Sequence, residues 1–112
     1  MNIQIFGKKK CFDTQKAQRY FKERRISYQY IDILRYGLSK GELQSVLKAV
    51  GFSALVNSDS DDYKSSTLPY LQSEENKKEA LLEMPFLYKT PIVRNGKLAT
   101  VGYKPDTWSQ WE

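Results

Sequence analysis

The sequence predicts an α/β domain, because its first three elements read as strand, helix and strand. Residues 2–6 (Asn-Ile-Gln-Ile-Phe) alternate polar and apolar, as a strand does. In residues 13–24 the apolar positions recur at helical spacing, with Asp13 or Thr14 available as the N-cap. Residues 26–33 are rich in β-branched and aromatic side chains, which favours a second strand. Such a β-α-β unit has parallel strands and a right-handed crossover.

Two further helices are predicted in the middle of the chain. Residues 40–50 carry an apolar stripe, Ser39 and Glu42 fit a capping box, and Gly51 supplies the end. Residues 58–66 are polar and serine-rich, which is typical of a surface loop. Residues 74–84 are helical in pattern until Pro85.

The C-terminal part predicts a β-hairpin followed by a short helix. Residues 91–94 and 97–101 read as adjacent antiparallel strands, with Asn95-Gly96 as the turn between them. Pro105 opens a terminal helix that would place Trp108 or Trp111 against the sheet. The predicted order of elements is therefore β-α-β-α-α-β-β-α.

Length, charge and composition narrow the classes of function. The 112 residues suit one domain, and one cysteine cannot form an internal disulfide, so we expect a reducing, cytoplasmic setting. No apolar stretch approaches the roughly 20 residues that span a bilayer. The absence of histidine excludes Cys-His and Ser-His-Asp catalysis and removes the commonest zinc ligand, so no metal site is expected. A net charge of +5 suits acidic or anionic partners, but the basic residues form no continuous run that would specify nucleic acid.

Cys11 is the leading candidate for a functional residue. It follows Lys8, Lys9 and Lys10 and stands where the first strand gives way to the first helix. Unpaired N–H groups at a helix start and nearby ammonium groups both favour the nucleophilic thiolate. The alternative is that Cys11 is a small buried hydrophobe.

Several motifs together resemble those of the arsenate reductase, Spx and YffB-like family, which has a thioredoxin-type fold with a helical insertion. Cys11 and Thr14 occupy the family's Cys-x-x-Cys/Ser/Thr positions, and Thr90-Pro91-Ile92-Val93 follows at the matching distance. The further matching segments are Lys16-Ala17, Tyr20-Phe21, the strand that contains Asp32, and Leu38-Ser39-x-x-Glu42-Leu43. The resemblance implies one thioredoxin-like domain over residues 1–112, a mixed sheet, and a helical insertion over approximately residues 38–88.

The resemblance also implies a cis peptide bond before Pro91, which faces the cysteine loop. Such a turn would leave the backbone groups of Thr90 free to pair with an extended thiol substrate or glutathione. Without the resemblance, an ordinary trans proline at the start of an edge strand would be the better interpretation.

The most concrete function is a monothiol thiol-disulfide oxidoreductase. Cys11 would attack a disulfide and, since no second cysteine can resolve the product, an external small thiol such as glutathione would release it, with no bound cofactor. Thr14 is expected to donate a hydrogen bond to the thiolate and Lys10 to supply positive potential. Thr90 and Pro91 would shape the substrate groove, and the substrate is a small thiol or a protein disulfide.

Arsenate reduction is a weaker candidate. The resemblance places Asn57, Thr90 and about Gly102 where the arsenate reductases carry oxyanion-binding arginines, and none of the three is arginine. Arg94 and Lys104 lie nearby in sequence and are candidates for substrate binding in their place. The unrelated phosphatase-like reductases need Cys-x5-Arg, which is excluded because the sixth residue after Cys11 is Ala17.

A binding protein is the competing class. Spx-like members of the family dock on RNA polymerase and use a Cys-x-x-Cys redox switch, which this chain lacks. A protein-docking role is still open, with the surface around Gly51-Phe52 or the basic residues 22–25 as candidates. A family member without catalysis is the third alternative. We expect a monomer with no direct contact to nucleic acid or membrane.

Overall fold

A four-stranded mixed sheet lies at the centre of the computed structural model, which describes residues 1–111. The strands are β1 (Ile3–Gly7), β2 (Tyr28–Asp32), β3 (Ile92–Asn95) and β4 (Leu98–Val101), in the order β2-β1-β3-β4. β1 runs parallel to β2 and antiparallel to β3, and β3 is antiparallel to β4. The predicted β-α-β unit, hairpin and mixed sheet are confirmed.

Helices connect these strands and follow the last one. They are α1 (Phe12–Glu23), α2 (Ile33–Tyr36), α3 (Lys40–Val50), α4 (Phe52–Leu55), α5 (Asp61–Ser65), α6 (Glu74–Glu83) and α7 (Pro105–Trp111), with 3₁₀ turns at Leu68–Tyr70 and Pro85–Leu87. The capping box at α3 has both predicted hydrogen bonds: Ser39 N–H donates to Glu42 Oε1 at 2.8 Å, and Glu42 N–H donates to Ser39 Oγ at 3.2 Å. Among the described residues, no helix is long and apolar enough to cross a membrane.

Several details differ from the sequence prediction, including the short helices α2 and α4, which were not predicted. The N-cap of α1 is Cys11 rather than Asp13 or Thr14, because α1 begins at Phe12. The predicted loop at 58–66 contains α5, whose first turn is capped by Ser60. In the hairpin Asn95 pairs with Leu98, so the two-residue loop is Gly96-Lys97, and Gly96 has a φ of 60° that suits glycine.

The core has one layer on each face of the sheet. α1 and α7 cover Ile3, Ile5 and Val93, whereas the helices between β2 and β3 cover Phe6 and Ile92 on the other face. β1 supplies both layers because successive strand residues point to opposite faces. α1 therefore starts at the sheet edge where β1 ends and lies over the sheet, which fixes the position of Cys11.

α7 is attached to the sheet through Trp108. The indole is fully buried, its Nε1–H donates to Thr100 Oγ1 at 2.8 Å, and its ring lies 5.2 Å from that of Tyr20 and 5.1 Å from that of Phe21 between centroids. The edge-to-face contact with Tyr20 adds to the stabilisation by burial. α1, β4 and α7 are thereby joined on one face of the sheet.

We predict that Thr100→Val lowers the free energy of unfolding by about 1–3 kcal/mol, because it removes the hydrogen-bond acceptor of a buried indole and keeps the volume nearly constant. Chemical denaturation followed by tryptophan fluorescence measures this. Thr107→Val, at an exposed position of α7, is the control and should change the midpoint little. Equal midpoints for the two variants would contradict the prediction.

Candidate active site

The topology brings Cys11 and Thr90 together at one edge of the sheet. β1 and β3 are antiparallel neighbours with Phe6 opposite Ile92, so the segment after β1 meets the segment before β3. The Thr90 hydroxyl donates to Cys11 Sγ at 3.3 Å, and the thiol donates to the Thr90 carbonyl oxygen at 3.7 Å. The Thr90–Pro91 peptide bond is cis. Cys11 is half-buried and unbridged, so it is a thiol with access to solvent.

Thr14 is held beside the cysteine loop by close packing. Its side chain is 1% exposed and lies against Gly7, where a Cβ would collide with it. The Lys8 backbone N–H donates to Thr14 Oγ1 at 3.4 Å, which leaves the hydroxyl proton of Thr14 for another acceptor. Glycine is therefore required at position 7, because a side chain there would collide with Thr14.

The pKa of Cys11 is lowered, and short-range hydrogen bonds are the reason. Burial raises this pKa, but the side chains of Thr14 and Thr90 together with the backbone amides of Thr14 and Asp13 outweigh burial by donating to the thiolate. The neutral thiol makes no capping hydrogen bond to α1, so the amides act on the charged form. The site therefore favours the nucleophilic state of sulfur.

Two of the residues predicted from sequence stand apart from the hydrogen bonds to Cys11. Lys10 is exposed, and its charge is not among the interactions that shift the Cys11 pKa, so electrostatic activation by Lys10 stays a prediction. Water screens an exposed ammonium strongly. Arg94 does not reach the cysteine: it lies opposite Gln4 in the sheet and donates to Gln4 Oε1 at 3.0 Å.

Arg94 has a structural role instead. Its Nη1 lies 3.8 Å from Glu42 Oε2 on α3, and its Nη2 donates to the Gly96 carbonyl oxygen at 3.4 Å. These partners lie toward the hairpin turn, at the opposite end of β3 from Thr90. The prediction that Arg94 binds substrate beside Cys11 is therefore corrected, since the side chain joins β3, α3 and the turn.

A groove of about 840 Å³ lies beside the Cys11–Thr90 contact. Asn57, Thr90 and Gly102, the three positions where the family's arsenate reductases would have arginines, all line it. Its cationic lining residues are lysines that come from three separate loops, Lys8, Lys89 and Lys104. Asp13 and Asp62 also line the groove, so its net positive charge is small. It offers no planar guanidinium to bind an oxyanion with two parallel hydrogen bonds.

Main-chain hydrogen bonds hold the walls of this groove. The Lys89 N–H donates to the Leu55 carbonyl oxygen at 2.7 Å, which fastens the end of α4 to the segment before Thr90. The Gly102 N–H donates to the Pro91 carbonyl oxygen at 2.8 Å on the opposite side. Because both hydrogen bonds join main-chain atoms, the positions of these two wall segments are set by the fold.

Tyr30 is a neighbour of the site that the sequence did not indicate. It pairs with Ile5 in the parallel register of β1 and β2 and packs on the α1 side of the sheet. Burial raises the Tyr30 pKa, and the negative charges of Asp32 and the Cys11 thiolate raise it further. The phenol therefore stays protonated next to a site that carries negative charge. Its strand position gave no sign of this, because Tyr is common in ordinary strands.

The four-stranded mixed sheet with helices on both faces is a thioredoxin-like fold, and Cys11 lies beyond the end of its first strand. The chain belongs to the ArsC family, whose model matches residues 6–111. It is 32% identical over 117 residues to the global transcriptional regulator Spx 2 of Oceanobacillus iheyensis, with 99% of this chain and 84% of the relative covered.

Solved structures show the same fold. An arsenate reductase from Vibrio cholerae superposes with a TM-score of 0.85 at 24% identity, covering 98% of this chain and 97% of that one. The glutaredoxin-like protein NrdH-redoxin from Escherichia coli gives a TM-score of 0.54 at 18% identity, covering 100% and 96%. At these identities the likeness concerns the fold alone.

In residues 1–111 no group of three or more acidic or cysteine side chains is placed to hold a metal ion.

We predict that the pKa of Cys11, measured as the pH dependence of its alkylation by iodoacetamide, lies below the ordinary thiol value of about 8.5. Thr90→Val should raise it, because the variant loses the hydroxyl that donates to the thiolate. One such hydrogen bond contributes roughly 0.5–1.5 kcal/mol, so alkylation at neutral pH should slow by a factor of about 2 to 10.

The control for this measurement is Thr67→Val, an exposed threonine remote in sequence from Cys11, which should leave the alkylation profile unchanged. Lys10→Ala should change the profile less than Thr90→Val. A larger effect of Lys10→Ala would show that the ammonium charge, rather than the hydroxyl, activates the thiol.

Proposed function

We propose that this ArsC-family protein is a monothiol thiol-disulfide oxidoreductase that acts through Cys11 with an external small thiol. The observation that supports it is the contact between Cys11 Sγ and the Thr90 hydroxyl next to cis Pro91, beside an open groove. A half-buried thiol with a lowered pKa is accessible and has a larger thiolate fraction than an ordinary cysteine at the same pH. A structural cysteine needs neither property.

The reaction proceeds in two exchanges. The Cys11 thiolate attacks one sulfur of a disulfide, a bond forms between these two sulfurs, and the second sulfur of the substrate leaves as a thiolate that takes a proton from solvent. An external thiolate then attacks the mixed disulfide and releases Cys11. Cys11 is the one cysteine of the chain, so it cannot be released by an internal thiol. Glutathione is our proposed external thiol, in the reducing environment of a cytoplasm.

Thr14, Thr90 and Pro91 have distinct parts in this proposal. The hydroxyl groups of Thr14 and Thr90 stabilise the Cys11 thiolate both before attack and as the leaving group of the second exchange. Pro91 has no N–H, and its ring is buried at the start of β3, so it shapes the approach to sulfur rather than binding substrate through a polar group. Lys10 is at most a source of general positive potential.

We predict that oxidised glutathione forms a mixed disulfide with the chain, seen by intact mass spectrometry as one added glutathionyl group that reduced glutathione removes. Cys11→Ser should abolish the adduct because it removes the nucleophilic sulfur. Thr90→Val should form it more slowly at neutral pH. If the unmodified chain forms no adduct while alkylation shows an ordinary thiol pKa, the oxidoreductase proposal is wrong.

Arsenate reduction is not supported by the groove. The charge of its lysines is largely offset by two aspartates, and Asn57, Thr90 and Gly102 provide no guanidinium to orient an oxyanion against Cys11. We predict poor arsenate turnover by the purified chain supplied with glutathione and glutaredoxin, measured by arsenite formation. Asn57→Arg should raise turnover if the geometry of the groove suits the oxyanion. Robust turnover by the unmodified chain that depends on Cys11 would overturn this prediction.

A regulatory protein-binding module is the second candidate, favoured by the 32% identity to Spx 2 across 99% of the chain. The partner proposed for this second function is RNA polymerase. The surface around Gly51-Phe52 is one candidate contact, where Phe52 is half-buried and Lys77 Nζ lies 5.7 Å from its ring centroid. Binding of purified RNA polymerase that Cys11→Ser leaves intact would support this candidate, and absence of binding would remove it.

A further inference from the structure

The net charge of the chain is concentrated in one segment. Residues 8–25 hold eight of the 18 basic residues and two of the 13 acidic ones, which gives this segment a net charge of +6. The remaining ten basic and eleven acidic residues leave the rest of the chain at −1. The whole positive excess therefore belongs to the Cys11 loop, α1 and the residues that end α1.

The exposed side of α1 carries an apolar residue followed by cations. Phe12, Lys16, Arg19 and Glu23 are spaced by four, three and four residues, so they form one stripe along the helix. Phe12, directly after Cys11, is 78% exposed. This stripe points away from the buried face of α1, which packs on the sheet.

Part of this surface is a shallow depression of about 500 Å³. Lys16, Arg19 and Arg24 line it, and so does the acidic residue Glu23. Tyr103 and Pro105 form the other side. Lys16 Nζ lies 5.7 Å from the centroid of the Tyr103 ring. Three cations and one carboxylate therefore share a concave surface that runs from Lys16 to the C-terminal end of α1.

These cations are positioned without carboxylate partners. The ion pairs of residues 1–111 join Lys78 to Glu75 and Arg94 to Glu42, and neither involves α1. The Arg24 guanidinium carbon is 3.7 Å from the centroid of the Tyr20 ring, and its Nη1 donates to the Tyr20 carbonyl oxygen at 3.4 Å. A guanidinium held in this way has lost part of its freedom already, which lowers the entropy cost of binding an anion.

We propose that the exposed face of α1 is the docking surface for an acidic protein that carries the disulfide on which Cys11 acts, an inference that rests on the proposed function. Phe12 supplies an apolar contact next to the reacting sulfur, and Lys16, Arg19 and Arg24 supply charge complementarity along the rest of the helix and at its C-terminal end. Aromatic side chains and arginine are enriched at protein interfaces, whereas a small thiol spans only the groove beside Thr90. Complementary charge speeds association and selects among partners.

The chemistry of docking adds no new step. The Cys11 thiolate attacks one sulfur of the partner's disulfide, the new bond joins Cys11 to that sulfur, and the other sulfur leaves as a thiolate. What the α1 face changes is the rate at which an acidic disulfide reaches Cys11. This rate should depend on salt, because exposed charges are screened within about 8–10 Å at physiological ionic strength.

Two synthetic peptides of equal length test the proposal. One is rich in Glu and Asp and the other in Ser and Gly, and each carries one cysteine as a mixed disulfide with thionitrobenzoate. Attack of Cys11 on the peptide sulfur releases the coloured thionitrobenzoate anion, so absorbance reports the rate. We expect the acidic peptide to react about tenfold faster than the neutral one at low salt, and this ratio to approach one near ~0.5 M salt.

Matched charge reversals locate the effect. Lys16→Glu with Arg19→Glu should bring the ratio of acidic to neutral rates to one or below. Lys48→Glu with Lys97→Glu changes the net charge equally at exposed positions on α3 and in the β3–β4 loop, and should keep most of the preference. Equal loss of preference in both double variants would overturn the proposal, since net charge alone would then explain it.

The outcomes separate docking from reactivity. If both peptides react at the same rate, the α1 docking surface is wrong and the monothiol proposal stands. If neither reacts, the monothiol proposal fails, and anisotropy of a fluorescein-labelled acidic peptide without cysteine, added to the Cys11→Ser chain, decides docking alone. Tighter binding of duplex DNA than of the acidic peptide, or self-association at low salt lost in the α1 variant, would overturn an acidic protein as the partner.

Discussion

The antiparallel pairing of β1 with β3 is the constraint on which the site depends. β1 is an inner strand with a partner on each side, and its register with β3 places Phe6 opposite Ile92. The chain leaves β1 toward Cys11 at the same edge where it enters β3 from Thr90. Cys11 and Thr90 are 79 positions apart in sequence, and this pairing holds the Thr90 hydroxyl within hydrogen-bond distance of Cys11 Sγ. A one-residue slip of this register would turn the side chains of β3 to the opposite face.

The reactivity of the thiol follows from packing next to this pairing. Thr14 is buried against Gly7, which fixes the first turn of α1 relative to the end of β1. The amides of Asp13 and Thr14 and the two threonine hydroxyls are then directed at one sulfur, and together they outweigh the effect of burial on its pKa. These dipoles are in place before substrate arrives, so the thiolate gains them without reorganisation of the loop.

The sequence predicted the parts of the fold that carry strong local signals. The alternation in β1, the apolar spacing of α1 and the Ser39–Glu42 capping box all identified their elements. Helices of four or five residues, such as α4 and α5, were missed because they are too short to show a period and exist through tertiary contacts. The hairpin turn lies one residue later than predicted, because Asn95 still pairs with Leu98 in the sheet.

The sequence predicted those parts of the site that belong to a family motif. It did not predict the parts that depend only on the direction in which a side chain extends. The pairing of Cys11 with Thr90 followed from a family pattern, whereas Arg94 is close to Thr90 in sequence but extends along β3 toward Glu42. The lysines before Cys11 had two interpretations in the sequence, activation of sulfur or recognition of an anion. Hydrogen bonds from Thr14, Thr90 and Asp13 are the interactions that lower the thiol pKa, which favours the second interpretation. Under the docking proposal the positive charge of α1 selects the partner, and substitutions that change this charge should alter partner choice without altering the chemistry of sulfur.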